Sequence, residues 1–333
     1  MFDREFIIDC ATADYRLDRH TFDSHIAGTL DPLREEYNEY GFTPGIARFI
    51  IDTSKVRECD NYGCLALVLL CEQLHRAFSL SKIILKLPRD CNFIYDFIGG
   101  GFYGLIENIV KIDRDLPFQQ IIPTVNNKGF LVTKIACQDD IASLNMLSDL
   151  VLDKSVEFIG IKDIARQWRL IFDKIFTFIT IGVELAQNIL EHSQSDKTAK
   201  SYGFLSFMYS LDFIEIAVMD LGIGIPSSLK KSNSPEGSAE AIKLACQQNV
   251  SAINEQGRGL GLYLTKEKVT KMKGEMRIRS GKATVAFNQF NDYYGERDHS
   301  IKTHFFKGTQ IQLRLPVYTL MEDKDHGIEV YDF

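Results

Sequence analysis

Three separated pieces constrain this chain more than anything else in its 333 residues: Glu184-Leu-Ala-Gln-Asn188-Ile-Leu-Glu-His192, Asp220-Leu-Gly222-Ile-Gly224-Ile225-Pro226, and Gly257-Arg258-Gly259-Leu260-Gly261-Leu262. The first has helical spacing. Glu184, Asn188 and Glu191 stand at i, i+4 and i+7 and share one helix face, flanked by Val183, Leu185, Ile189 and Leu190. A polar seam in an apolar helix is either solvated or met by a polar partner. The second piece ends an apolar, β-rich run, and its glycines permit a tight turn with close backbone approach to a ligand. The strand-end carboxylate of Asp220 can accept a hydrogen bond from an exocyclic amine. The third piece opens a helix, where backbone N–H groups and the helix dipole favour an anion. Its spacing is not GxGxxG within a βαβ unit, and no Gly-Lys-Ser/Thr follows, so neither a dinucleotide fold nor a Walker loop fits. A polar helix face, a strand-turn and a glycine-rich helix start, in this order, read as a nucleotide site.

The surroundings serve that reading. Gly203–Ser210 and Phe213–Met219 read as two strands joined in a hairpin at Leu211-Asp212. Ser227 to Gln256 is long, polar and lid-like, with a helical piece at Ala239–Gln247. A helix is expected at Tyr263–Met272, strands at Glu275–Ser280 and Ala283–Phe287, an extra polar loop at Asn288–Lys307, and a final strand at Gln310–Leu315. Upstream, Ala47–Asp52, Leu65–Phe78, Lys82–Leu87 and Asn92–Ile106 alternate strand and helix, as βα units on a sheet do. The expected division is an α/β domain at 1–110, a connector at 111–160, an α/β nucleotide domain at 161–316 and an acidic tail at 317–333. Within the connector, Asn126–Gly129 reads as a hairpin turn leading into a strand at Phe130–Ile135.

Composition narrows the partners. With 45% hydrophobic and 25% charged residues there is apolar material for two cores. A net charge of −7 argues against nucleic acid as a partner. The seven cysteines include no CxxC pair, which argues against a zinc site or a disulfide framework. The most apolar runs, Leu65–Cys71 and Ile175–Val183, fall short of the ~20 residues of a membrane span. No signal-peptide pattern is evident at the start. A cytoplasmic protein without membrane contact is expected.

The three pieces resemble the GHKL ATPase superfamily of sensor histidine kinases, anti-sigma-factor serine kinases, gyrase B, mismatch-repair ATPases and heat-shock chaperones, over roughly residues 165–316. Glu184 to His192 resembles its N box, Asp220 to Gly224 its first glycine box, Gly257 to Gly261 its second, and Gly308-Thr309 its final Gly-Thr. The resemblance implies a Bergerat-fold α/β sandwich with a mixed sheet, and ATP with Mg²⁺ as ligands. It implies Asn188 on the metal and Asp220 on the adenine amine, with Thr309 supporting through water. Gly222, Gly224 and Ile225 would shape the adenine pocket. Gly257, Gly259 and Gly261, with Leu260 and Leu262, would bring backbone N–H groups to the phosphates. Arg258 is either a phosphate contact or a solvated lid residue. Glu184 is either a general base or the holder of a metal-bound water. His192, four residues after Asn188, is as in the anti-sigma-factor kinases, whereas Glu191 stands where many histidine kinases have lysine. That subtype implies ATP hydrolysis or phosphoryl transfer to a Ser/Thr of a partner; a binding-only regulatory switch is the alternative.

Phe49–Asp52, then Asp60-Asn61-Tyr62-Gly63 and a helix, resemble the STAS domain of anti-anti-sigma factors over residues 45–110. Asn61 and Tyr62 replace that family's serines, which implies that its phosphoswitch is missing; a generic α/β contact domain is the alternative. A protein partner met through the N-terminal domain is expected, and a homodimer is left open.

Overall fold

A computed structural model describes residues 4–10, 15–32, 47–78, 81–89, 91–113, 128–140, 165–192, 202–230, 234–248, 250, 261–288 and 298–320. The N-terminal part builds a parallel sheet from β1 (Arg4–Asp9), β3 (Ala47–Asp52), β5 (Lys82–Lys86) and β6 (Val110–Ile112), in that spatial order. Two short strands, β2 (Arg16–Leu17) and β4 (Glu58–Cys59), pair beside it. Helix α1 (Asn61–Ala77) starts four residues before the expected Leu65, because Asp60 caps it: its carboxylate accepts the Gly63 N–H at 2.6 Å. From Asn61 through Glu72 every residue of α1 is buried. A helix enclosed on all sides must lie between two layers. Phe49, Ile51, Ile83 and Leu85 of the parallel sheet share one core with α1, and so do Phe204, Ala217 and Met219 of a second sheet and Leu221 just beyond it.

That second sheet runs β10 (Glu275–Asn288), β11 (Asp298–Pro316), β9 (Phe213–Asp220), β8 (Gly203–Ser210), β7 (Lys128–Ile135), and all its described pairings are antiparallel. Two local expectations change here. Lys128 and Gly129 are strand, not turn, and β7 pairs with β8 as the sheet's edge rather than closing a local hairpin. The polar stretch after Asn288 is not all loop: 298–307 is the first half of β11, paired to β10 beyond bulges around Gly281. Phe306 in this arm is buried and meets Phe22 edge-on at 5.1 Å. Arg279 pairs with Asp23 at 2.7 Å and donates to the His304 carbonyl at 2.9 Å. His304 Nδ1 lies 2.7 Å from the Asp31 carboxylate. The arm therefore fastens residues 19–31 onto the sheet.

The face of this sheet toward α1 is polar as well as apolar. Tyr62 donates to Gln310, Gln312 donates to Glu215 at 2.9 Å, and Arg19 donates to Gln312 at 3.4 Å. Asn61 is fully buried, and neither its amide oxygen nor its nitrogen has a hydrogen-bond partner. The opposite face carries α2 (Ala165–His192), α4 (Ser238–Ala245) and α5 (Gly261–Lys271), with Phe178, Leu185, Ile242 and Val269 packed on Ile214, Ile216 and Val218. The order of layers is sheet, helix, sheet, helices. No helix among the described residues is long and apolar enough to cross a membrane, and the seven cysteines are free thiols.

Candidate functional site

β9 ends at Asp220. Alternation along the strand puts its side chain on the face of Ile214, Ile216 and Val218, where the helices lie. The Gly222 N–H donates to the carboxylate at 2.6 Å, and the Thr309 N–H donates as well. Ser280 rivets the surrounding backbone. Its hydroxyl accepts the Ile225 N–H and donates to the Gly308 carbonyl, each at 2.9 Å, and lies 3.4 Å from the Thr309 hydroxyl. Gly224 (φ 77°) and Gly308 (φ 89°) adopt the left-handed conformation that glycine tolerates. A Cβ on Gly308 would sit 1.9 Å from the Asp220 carbonyl oxygen, so no other residue fits there. Short helix α3 (Ile225–Leu229) leaves this turn with Pro226 in its first turn.

The Asp220 side chain keeps a window to solvent. Burial nevertheless pushes its carboxyl up to about 6, against the pull of the Gly222 and Thr309 N–H groups and of Arg76. This is an acceptor fixed in place, deprived of much of its water, with capacity left for a further donor.

The helical layer supplies the second group. Glu184 and Asn188 lie one turn apart on α2, both partly exposed. The Asn188 amide nitrogen is 3.9 Å from where a Cβ on Gly261, the first residue of α5, would stand. Burial raises the Glu184 carboxyl, and Lys268 of α5 opposes that rise. Leu262 packs on the helical core. His192 is the last residue of α2. Gly257, Arg258, Gly259 and Leu260 lie outside the described residues.

The structure thus gathers Asp220, Gly222, Gly224, Ile225 and Thr309 at one strand end, and sets Asn188 beside Gly261 at a helix start, with Glu184 within the field of Lys268. Sequence reasoning missed Ser280 and Lys268. Lys268 had a readable signal, lying two turns after Gly261 on the same helix face. Ser280 had none, because its role depends on the β10–β11 register that pairs it with Thr309.

Among the described residues, no three His, Cys, Asp or Glu side chains gather as a metal site. Glu184 and Asn188 offer side-chain oxygens from one helix, the hard donors that Mg²⁺ takes when its other ligands are water and phosphate.

Residues 177–319 match the family described as Histidine kinase-, DNA gyrase B-, and HSP90-like ATPase. The match begins within α2 ahead of Glu184, spans both glycine pieces and ends just after β11. No curated protein matches the chain. Residues 177–319 are therefore a GHKL domain, a member of the ATP-binding family of histidine kinase-, DNA gyrase B- and HSP90-like ATPases.

Proposed function

We propose that the chain is a Mg²⁺-ATP-dependent phosphoryl-transfer enzyme whose acceptor oxygen belongs to water or to a Ser/Thr hydroxyl of a partner protein. Adenine would be held by Asp220 accepting from its exocyclic amine, with Thr309 beside it and the Gly222–Ile225 turn as pocket wall. Asn188 would hold Mg²⁺, which neutralises phosphate charge when bound. Gly261 and Leu262, with Gly257 to Leu260, would meet the phosphates with backbone N–H groups.

The observation that carries the enzymatic reading is Glu184: a half-buried carboxyl, raised by that burial, one turn before Asn188. Raised basicity suits a general base. Glu184 would take the proton from the attacking hydroxyl as its oxygen bonds to the γ-phosphorus and ADP leaves with the electrons of the broken bond. Lys268 supports a second reading, in which Glu184 is held as an ion-pair partner and ATP only switches conformation.

Glu184→Ala with γ-labelled ATP separates the two. Turnover lost with binding retained supports the enzyme; a wild type without turnover, alone or with lysate, supports the switch. The N-terminal unit is proposed to contact a protein partner. Its parallel sheet, with α1 following Asp60, supports the STAS comparison, while the burial of Asn61 and Tyr62 leaves no accessible hydroxyl at the phosphoswitch position. A cytoplasmic location and a homodimer remain part of this proposal.

A further inference from the structure

Near its C-terminal end, α1 brings a cation close to the strand that carries Asp220. The Arg76 guanidinium lies 3.8 Å from the centre of the Tyr202 ring, and its Nε donates to the Tyr202 hydroxyl at 2.8 Å. That hydroxyl donates to Glu72, also on α1, at 2.6 Å. Lys134 of β7 stands 3.8 Å from the same ring centre and 3.7 Å from the Glu72 carboxylate. Tyr202, just ahead of β8, is clasped by three charged side chains from two other elements, α1 and β7. The residue after it, Gly203, opens β8 and is the register partner of Asp220. A clasp on Tyr202 therefore fixes the backbone against which Asp220 is paired.

The charged groups at this corner are Arg76 and Glu72 from α1 and Lys134 from β7. Glu72 is buried and pairs with Lys134, which leaves the exposed Arg76 as the cation whose field reaches Asp220. From the nucleotide side, the N–H groups of Gly222 and Thr309 donate to Asp220.

We propose that Arg76 is a positioning residue of the nucleotide site, through which the N-terminal unit keeps Asp220 ready for the adenine amine and so couples its own docking to nucleotide affinity. The inference rests on the nucleotide reading of Asp220. Coupling of this kind is reciprocal: if docked α1 favours nucleotide, bound nucleotide favours docked α1.

The test uses the full chain at low ionic strength, where an exposed charge is least screened. A fluorescent N-methylanthraniloyl ATP is titrated between pH 5 and 8 against wild type, Arg76→Met and Arg76→Lys. Wild-type affinity rises with pH through about 6, as Asp220 becomes an acceptor. In Arg76→Met the midpoint moves up by about half a pH unit, with a ~3-fold loss near pH 5 that shrinks to ~1.5-fold near pH 6.5; Arg76→Lys keeps most of the wild-type profile. Should Arg76→Met not fold, Tyr202→Phe, which frees Arg76 from its hydroxyl anchor, is expected to move the midpoint the same way. A midpoint unmoved in these variants, or an equal loss at every pH in Met and Lys alike, overturns the proposal. A wild type that binds no nucleotide overturns the reading beneath it as well.

Discussion

Asp220→Asn should strengthen the fold and weaken the site. An ordinary aspartate titrates near 4, while burial holds Asp220 at about 6. For a group raised on folding, the stabilising contribution is fully present below about pH 4 and is lost as pH rises through about 6. Above that, the native state carries an ionised carboxylate that it solvates poorly. The gap of about two pH units is worth at most about 3 kcal/mol at 1.36 kcal/mol per unit. The solvent window on Asp220 reduces this, and about 1–2 kcal/mol is the expected effect. Asparagine keeps an oxygen for the Gly222 and Thr309 N–H groups and carries no charge. Urea unfolding of the nucleotide-free chain should show the variant more stable at pH 7.5, equal near pH 4, and without the wild-type slope between. Affinity for the fluorescent ATP should meanwhile fall ~10- to 100-fold, because a charged acceptor at the amine is replaced by a neutral one. A residue that burdens the fold and benefits a ligand behaves in this way. A variant that is less stable at pH 7.5, or that binds nucleotide as well as wild type, refutes the reasoning.

Two further perturbations follow from the geometry. Gly308→Ala puts a Cβ against the Asp220 carbonyl at a φ of 89°; thermal unfolding should show a loss of about 2–4 kcal/mol, and nucleotide binding should go with it. Asp60 is raised to about 7 by burial and by Glu215 and Asp18, with Arg19 and the Gly63 N–H opposing. Stability tied to its protonated form is present below about pH 4 and is lost as pH rises through about 7. Asp60→Asn retains a good helix cap, and a melting temperature that falls less than that of wild type between pH 4 and 7 is the expected result.

What was legible in the chain was whatever is written locally. The β8–β9 hairpin shows as two apolar, β-rich runs on either side of Leu211-Asp212, and α5 begins at the glycine that the phosphate-site argument requires. What was not legible depends on distant partners. β7 looked like part of a connector because its pairing residues, 203–210, lie far along the chain. The arm 298–307 looked like loop because its side chains are mostly polar, and its one buried aromatic, Phe306, is covered by Phe22 from the other end of the sequence. Glu215, Gln310 and Gln312 sit on a sheet face that any pattern would leave in water; they are buried because α1 and residues 16–31 cover them. The site itself was readable to the extent that each piece carries its own chemistry. The Ser280 rivet and the Arg76 clasp needed three dimensions.

Because α1 is walled by two sheets, its synthesis has a hazardous interval. The ribosome releases Asn61–Ala77 with β1 and β3 already made, yet β8 and β9 emerge more than a hundred residues later and β11 later still. At ~5–20 residues per second that leaves roughly ten to fifty seconds with one apolar flank of the helix bare. Leu67, Leu70 and Leu74 on this helix are the kind of surface that holdase chaperones capture. The nascent chain should depend on such protection until the last strand arrives, and slower translation should lower its soluble yield.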